Sequence, residues 1–151
     1  MRRLKPLKLE RDAYQSAIDY LSRREHSRLE LVTKLTKKGY ADEDIQTALK
    51  RLDDHDLQSD ERFAEQFVRA RVLKHSGPLR IQHELKQRGV DEDLISSCLY
   101  QQQIDWLQQA QALYNKKYGT QQASDYQEKA RRMRFLQSKG FPGDIIQQLM
   151  K

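Results

Sequence analysis

Apolar positions along this chain recur at helical spacing, and one helix-ending pattern is written three times. Leu35-x3-Gly39-Tyr40, Leu85-x3-Gly89-Val90 and Leu136-x3-Gly140-Phe141 set their glycines 50 and then 51 residues apart. Part of the triplet is local chemistry. A helix that stops in a left-handed residue favours glycine, and an apolar residue after it packs back on the leucine one turn earlier. Generic capping does not explain the agreement beyond each glycine: an acid four residues on (Glu43, Asp93, Asp144), isoleucine at six (Ile45, Ile95, Ile146), and apolar pairs at nine and ten (Ala48-Leu49, Cys98-Leu99, Leu149-Met150). This spacing buries one face of the next helix and places carboxylates in its first turn, where the helix dipole favours them.

The match extends upstream. Ser27 opens the capping box Ser27-x-x-Glu30, and Gly77 precedes Pro78 at a helix start, each twelve residues before its glycine. Farther back, Ala13, Tyr14, Ala17 and Ile18 align with Phe63, Ala64, Phe67 and Val68 as equivalent apolar stripes. In the third copy the box Ser124-x-x-Gln127 lies sixteen residues before Gly140, so its middle helix reads about one turn longer, after a helix marked by Trp106, Leu107, Ala110, Leu113 and Tyr114. The prediction is an all-α fold of three tandem three-helix repeats of about 50 residues: 13–56, 57–103 and 104–151, behind a basic N-terminal arm over 1–12.

Composition agrees with an extended helical array. Of 151 residues 37% are hydrophobic and 33% charged, with six glycines and three prolines, and the mean hydropathy is −0.95. Such a polar chain exposes much surface per residue. Met1 to Lys8 is basic but is followed by no apolar targeting stretch, and no segment approaches a membrane span, so a cytoplasmic protein is expected. Cys98 stands alone and sits at a core position, as a small buried residue.

Charge is segregated within a net balance of +6. Asp53, Asp54, Asp56, Asp60, Glu61 and Glu65 precede a basic run of Arg69, Arg71, Lys74, Arg80, Lys86 and Arg88; a second basic run holds Lys129, Arg131, Arg132, Arg134 and Lys139. That arrangement suits a polyanionic or charge-patterned partner. No catalytic constellation accompanies it. His26, His55, His75 and His83 make no His-x3-His pair, and no phosphate loop or nucleophile elbow occurs. Asp53-Asp54-His55-Asp56 reads as a solvated helix junction and not a metal site. Neither an enzyme, a cofactor nor a bound metal is expected.

Three-helix units at this period also describe repeated helix-turn-helix DNA-binding modules of the Myb type. There the third helix enters the major groove. Here the third helices begin Asp42-Glu43-Asp44 and Asp91-Glu92-Asp93, where carboxylates repel phosphates. Basic residues lie mainly on the middle helices instead, so sequence reading by the third helix is disfavoured while DNA binding through a basic ridge stays open.

The segment from Ser59 to Arg71, Ser-Asp-Glu-Arg-Phe-Ala-Glu-Gln-Phe-Val-Arg-Ala-Arg, followed by Gly77-Pro78-Leu79-Arg80-Ile81-x-x-Glu84-Leu85-x-x-x-Gly89-Val90, resembles the central signature of the RecX family of recombination regulators. Lys116-Lys117-Tyr118-Gly119 and Arg134-Phe135-Leu136-x-x-x-Gly140-Phe141 extend the similarity to the third repeat. The resemblance implies an elongated, curved molecule that binds the RecA recombinase, lodges in the groove of its filament on single-stranded DNA, and suppresses ATPase, coprotease and strand-exchange activity. It thereby implies negative regulation of recombination and of the SOS response by a monomer with weak direct DNA binding. Lys74-His75-Ser76 departs from the family pattern, in which a basic or aromatic residue often precedes the glycine. The expected contact residues are Arg69, Arg71, Lys74, Arg80, Lys86 and Arg88 on the central repeat and Arg131, Arg132, Arg134 and Lys139 on the last, about half of them facing one partner.

Overall fold

The computed structural model describes residues 11–151, so the expected N-terminal arm lies almost wholly outside the described residues. Among them are nine helices and no strand: α1 (Ala13–Arg23), α2 (Arg28–Lys38), α3 (Asp42–Asp54), α4 (Asp60–Leu73), α5 (Pro78–Gln87), α6 (Glu92–Gln101), α7 (Trp106–Tyr118), α8 (Tyr126–Ser138) and α9 (Gly143–Leu149). They form two compact units, the first ending at Phe63 and the second running from Ala64 to Lys151, with the division inside α4.

All three middle helices stop as their sequences require. Gly39, Gly89 and Gly140 have φ of 101°, 79° and 97°. Tyr40, Val90 and Phe141 each donate a backbone hydrogen bond to the leucine carbonyl five residues back, at 3.2, 3.1 and 3.2 Å. These bonds satisfy helix-end carbonyls and turn the chain into the third helix.

In the first unit, Ala17, Leu31, Leu35, Ile45, Leu49 and Leu52 make the core, with Tyr14, Tyr20 and Tyr40 packed around it. Ser27 and Glu30 form the expected reciprocal cap of α2. One core position differs from the sequence reading. Ile18 is 38% exposed, while Ser16 is buried. The inward hydroxyl is tolerated because it bonds the Tyr40 hydroxyl at 2.7 Å, and Tyr40 in turn donates to the Arg11 carbonyl at 2.6 Å. Rotating α1 to bury Ile18 would break this link to the α2 stop.

His26 is buried between α1 and α2. Its Nδ1 lies 3.0 Å from the Arg24 carbonyl, and its Nε2 lies 3.0 Å from Lys34 Nζ. An ammonium only donates, so Nε2 accepts and the neutral Nδ1–H tautomer is fixed. Burial, with the Arg24 and Lys34 charges, lowers the His26 pKa below 6.5. Unfolding restores the ordinary value, so the unfolded chain binds the proton first, and this stabilisation is lost as pH falls from 6.5 through the lower folded value. Melting should therefore drop more between about pH 7.5 and about pH 5 in the native chain than in His26→Gln. Parallel pH slopes in the two proteins would show that His26 plays no part in the pH dependence.

The second unit holds the remaining cores. Val68, Ile81, Leu85, Val90, Ile95 and Cys98 are buried in its first part. Ala110, Leu113, Leu136, Phe141 and Ile146 are buried in its last, with Trp106, Tyr114, Met133 and Met150 against them. The α8 start is one residue later than the capping box Ser124-x-x-Gln127 predicts. Asp125 is the N-cap and accepts from the Glu128 N–H at 2.8 Å. A carboxylate at a helix N-terminus gains from the dipole as well as from the hydrogen bond, and so prevails over the neighbouring serine.

Gly77 is the N-cap of α5, with Pro78 next. Its φ of −82° is open to any residue; what it supplies is space. A Cβ there would stand 2.3 Å from the Gly140 carbonyl carbon and 2.5 Å from the Phe141 nitrogen. Gly77 N–H donates to the Lys139 carbonyl at 2.7 Å, and Leu79 N–H to the Gly140 carbonyl at 3.0 Å. Proline lacks an N–H, so these two donors of the α5 start pair with carbonyls of the α8 stop. Helix-end groups of two repeats thus satisfy one another.

Candidate functional site

The ten cations expected to meet a partner divide into three groups. Arg69 and Lys74, at the end of α4, and Arg134, on α8, are exposed and have no ion-pair partner among the described residues. They are the cations most available to an outside anion.

A second group is exposed or half-buried but engaged within the unit. Glu84 receives Arg71 Nη2 at 2.9 Å and Arg80 Nε at 3.1 Å. Arg88 donates to the Glu84 carbonyl at 3.0 Å. The Arg71 and Arg88 guanidinium carbons each lie 4.8 Å from the ring centroid of the partly buried Phe67, a cation–π arrangement. Lys86 pairs with Glu92 and holds that carboxyl below its usual range. Arg131 pairs with Glu128 at 2.7 Å while 66% exposed. Lys139 lies beside the Phe135 ring, with Lys117 4.4 Å from its centroid. Exposed pairs of this kind contribute only about 0–1 kcal/mol, so Arg80, Lys86 and Arg131 can exchange a local carboxylate for a partner's at little cost.

Arg132 stands apart. Its side chain is 7% exposed. Nε donates to Glu128 at 3.1 Å, and Nη1 to the Tyr114 hydroxyl at 2.8 Å and to the Gln121 carbonyl at 2.7 Å; the Tyr118 ring lies 4.5 Å away. It fastens α7, the loop after it and α8 together, and its charge is spent inside the fold. The acids that receive these arginines were readable at three- and four-residue helical spacing (Arg80 with Glu84, Arg131 and Arg132 with Glu128). Arg71 with Glu84, between helices, was not.

Three acids of the acidic segment are also engaged. Asp53 pairs with Arg28 at 3.1 Å, and Asp56 with Arg62 at 3.2 Å. Asp60 accepts the Arg28 N–H at 2.8 Å. Asp42, Glu43 and Asp44 on α3, and Asp93 on α6, stand exposed at the helix starts, as does Glu92, which pairs with Lys86. These two helix ends repel a phosphate backbone. Among the described residues no helix is long and apolar enough to cross a membrane.

Comparison with known proteins agrees along nearly the whole chain. Sequence models of the first, second and third three-helix domains of RecX match residues 13–52, 59–99 and 103–150. The regulatory protein RecX of Legionella pneumophila (strain Corby) is 40% identical over 139 residues, covering 92% of this chain and 93% of that one. That of Halorhodospira halophila is 40% identical over 131 residues, covering 87% and 81%. The crystal structure of RecX from Lactobacillus salivarius superposes with a TM-score of 0.75 at 26% identity, covering 91% of this chain and 92% of that one. A second crystal structure, of a regulatory protein RecX, gives 0.79 at 26% identity, covering 91% and 70%. Three tandem three-helix domains, relatives at this identity and a shared fold place the chain in the RecX family of regulatory proteins.

Proposed function

We propose that this protein is a negative regulator of homologous recombination and of the SOS response, acting as a cytoplasmic monomer on the RecA recombinase and its filament on single-stranded DNA. In this reading it lodges in the filament groove and inhibits ATPase, coprotease and strand-exchange activity. Family membership supports the recombinase as partner. The observation that carries the reading to this molecule is that Arg69, Lys74 and Arg134 are exposed with no ion-pair partner among the described residues, whereas the starts of α3 and α6 carry carboxylates. Cations carried on elements other than the third helices favour contact with an acidic protein surface, alone or alongside a DNA backbone, over groove reading by those helices.

Reversing Arg69, Lys74 and Arg134 to glutamate should raise the concentration needed to inhibit RecA ATP hydrolysis by roughly tenfold or more, with circular dichroism and melting unchanged. Undiminished inhibition by the triple variant would remove these cations from the contact.

A further inference from the structure

An apolar groove of about 230 Å³ opens in the second unit, walled by Leu79, Met133, Phe141, Pro142 and Ile146. Leu79 is 51% exposed there, although it begins a helix whose next turn is core. The volume falls below the ~300–1,000 Å³ of ordinary small-molecule pockets and suits one large side chain. Met133 continues along α8 into an exposed strip. Tyr126, two turns earlier on the same face, is 84% exposed.

The strip is flanked by positive charge on both sides. On the helical wheel Lys129 falls to one side of the Tyr126–Met133–Gln137 line and Arg134 to the other. Both are exposed and neither has an ion-pair partner among the described residues. Asp144, the one acid on α9, is not among the residues that line the groove, although it stands one turn before Gln147, which is. The last repeat, residues 104–151, carries eight basic residues against four acidic ones.

From this juxtaposition we infer that the groove is an anchor site for an acidic segment of a protein partner, one that inserts a single large apolar side chain and sets carboxylates against Lys129 and Arg134. The pairing fits the usual division of labour at interfaces: a desolvated apolar anchor supplies most of the affinity, and charges around it supply rate and choice of partner. A nucleic acid uses the cations but leaves the apolar wall in water; a neutral apolar peptide does the reverse. The inference rests on the proposed function only in naming the recombinase as the protein that carries such a segment.

Direct binding is tested by the methyl spectrum of methionine-labelled full-length protein, in which Met133 reports the groove wall. The probe is a pentapeptide with phenylalanine between two pairs of glutamates. It should shift the Met133 methyl, and its counterparts with alanine for phenylalanine, or lysines for glutamates, should not. No shift at millimolar peptide, or equal shifts with the lysine peptide, would overturn the site. Gln147, at the groove mouth and exposed, gives the functional arm. Gln147→Glu should weaken inhibition of the RecA ATPase severalfold and Gln147→Lys should strengthen it. Shifts in the same direction for both would mark a structural effect and overturn the electrostatic part. If the native protein failed to inhibit RecA while the peptide still bound, the functional reading would fail and the site would stand.

Discussion

Gly77→Ala should melt roughly 6–12 °C below the native protein, on the basis of a loss of about 3 kcal/mol in a chain of this size. Two costs combine. The new Cβ cannot sit 2.3 Å from the Gly140 carbonyl carbon, so α5 or α8 must shift. Any shift lengthens the bonds from Gly77 N–H to Lys139 and from Leu79 N–H to Gly140, leaving donors and acceptors unpaired at the ends of both helices. Gly140→Ala should be worse still. Its Cβ would stand 2.4 Å from Arg80 Cβ, and its φ of +97° is strained for alanine besides. Gly39 separates the two causes: its φ is +101°, yet nothing lies within 4 Å of a Cβ there. Gly39→Ala should cost only the conformational term, about 1–2 kcal/mol. Thermal melting of the three variants should rank Gly140 as most damaging, then Gly77, then Gly39. If Gly77→Ala melted like the native protein, the direct joint between α5 and α8 would be wrong.

The second large effect separates two arginines that stand two residues apart. Arg132→Glu should lower the melting temperature by many degrees. It places a carboxylate beside Glu128 in a buried position and abandons the Tyr114 hydroxyl and the Gln121 carbonyl. Arg134→Glu, on the exposed face, should leave melting within about 1 kcal/mol of native stability. Activity should divide the other way: the Arg132 variant loses inhibition in proportion to its unfolded fraction, whereas the Arg134 variant loses it while folded. A reversal of both together cannot tell a contact from a collapse. Equal melting of the single variants would show that the Arg132 network contributes nothing to the fold.

Local chemistry was legible in the sequence; long-range chemistry was not. The three leucine–glycine stops could be read because every group in them lies within six residues, and the same is true of the Ser27–Glu30 cap. The α8 start slipped by one residue because Ser124 and Asp125 are both competent caps, and only the folded backbone decides between them. Gly77 was legible as a helix start but not as a joint, since its steric partner lies 63 residues away. The charge runs showed where cations cluster but not how they are employed. Arg132 and Arg134 look alike in sequence, and they differ because Tyr114 and Gln121, 18 and 11 residues distant from Arg132, fold over only one of them. Ile18 failed for the same reason: the Ser16 to Tyr40 hydroxyl contact, 24 residues long, fixes the rotation of α1.

What is proposed is action on the recombinase and not on DNA alone. It is tested most directly by titrating the protein into single-stranded-DNA-dependent ATP hydrolysis by RecA, with naked-DNA binding measured in the same buffer and salt. Inhibition should be half-complete at least about tenfold below the concentration that coats the free DNA, and should survive added salt better than DNA binding does. Inhibition that appears only as the DNA is coated, with the same salt dependence, would contradict this claim and leave a DNA-binding protein in its place.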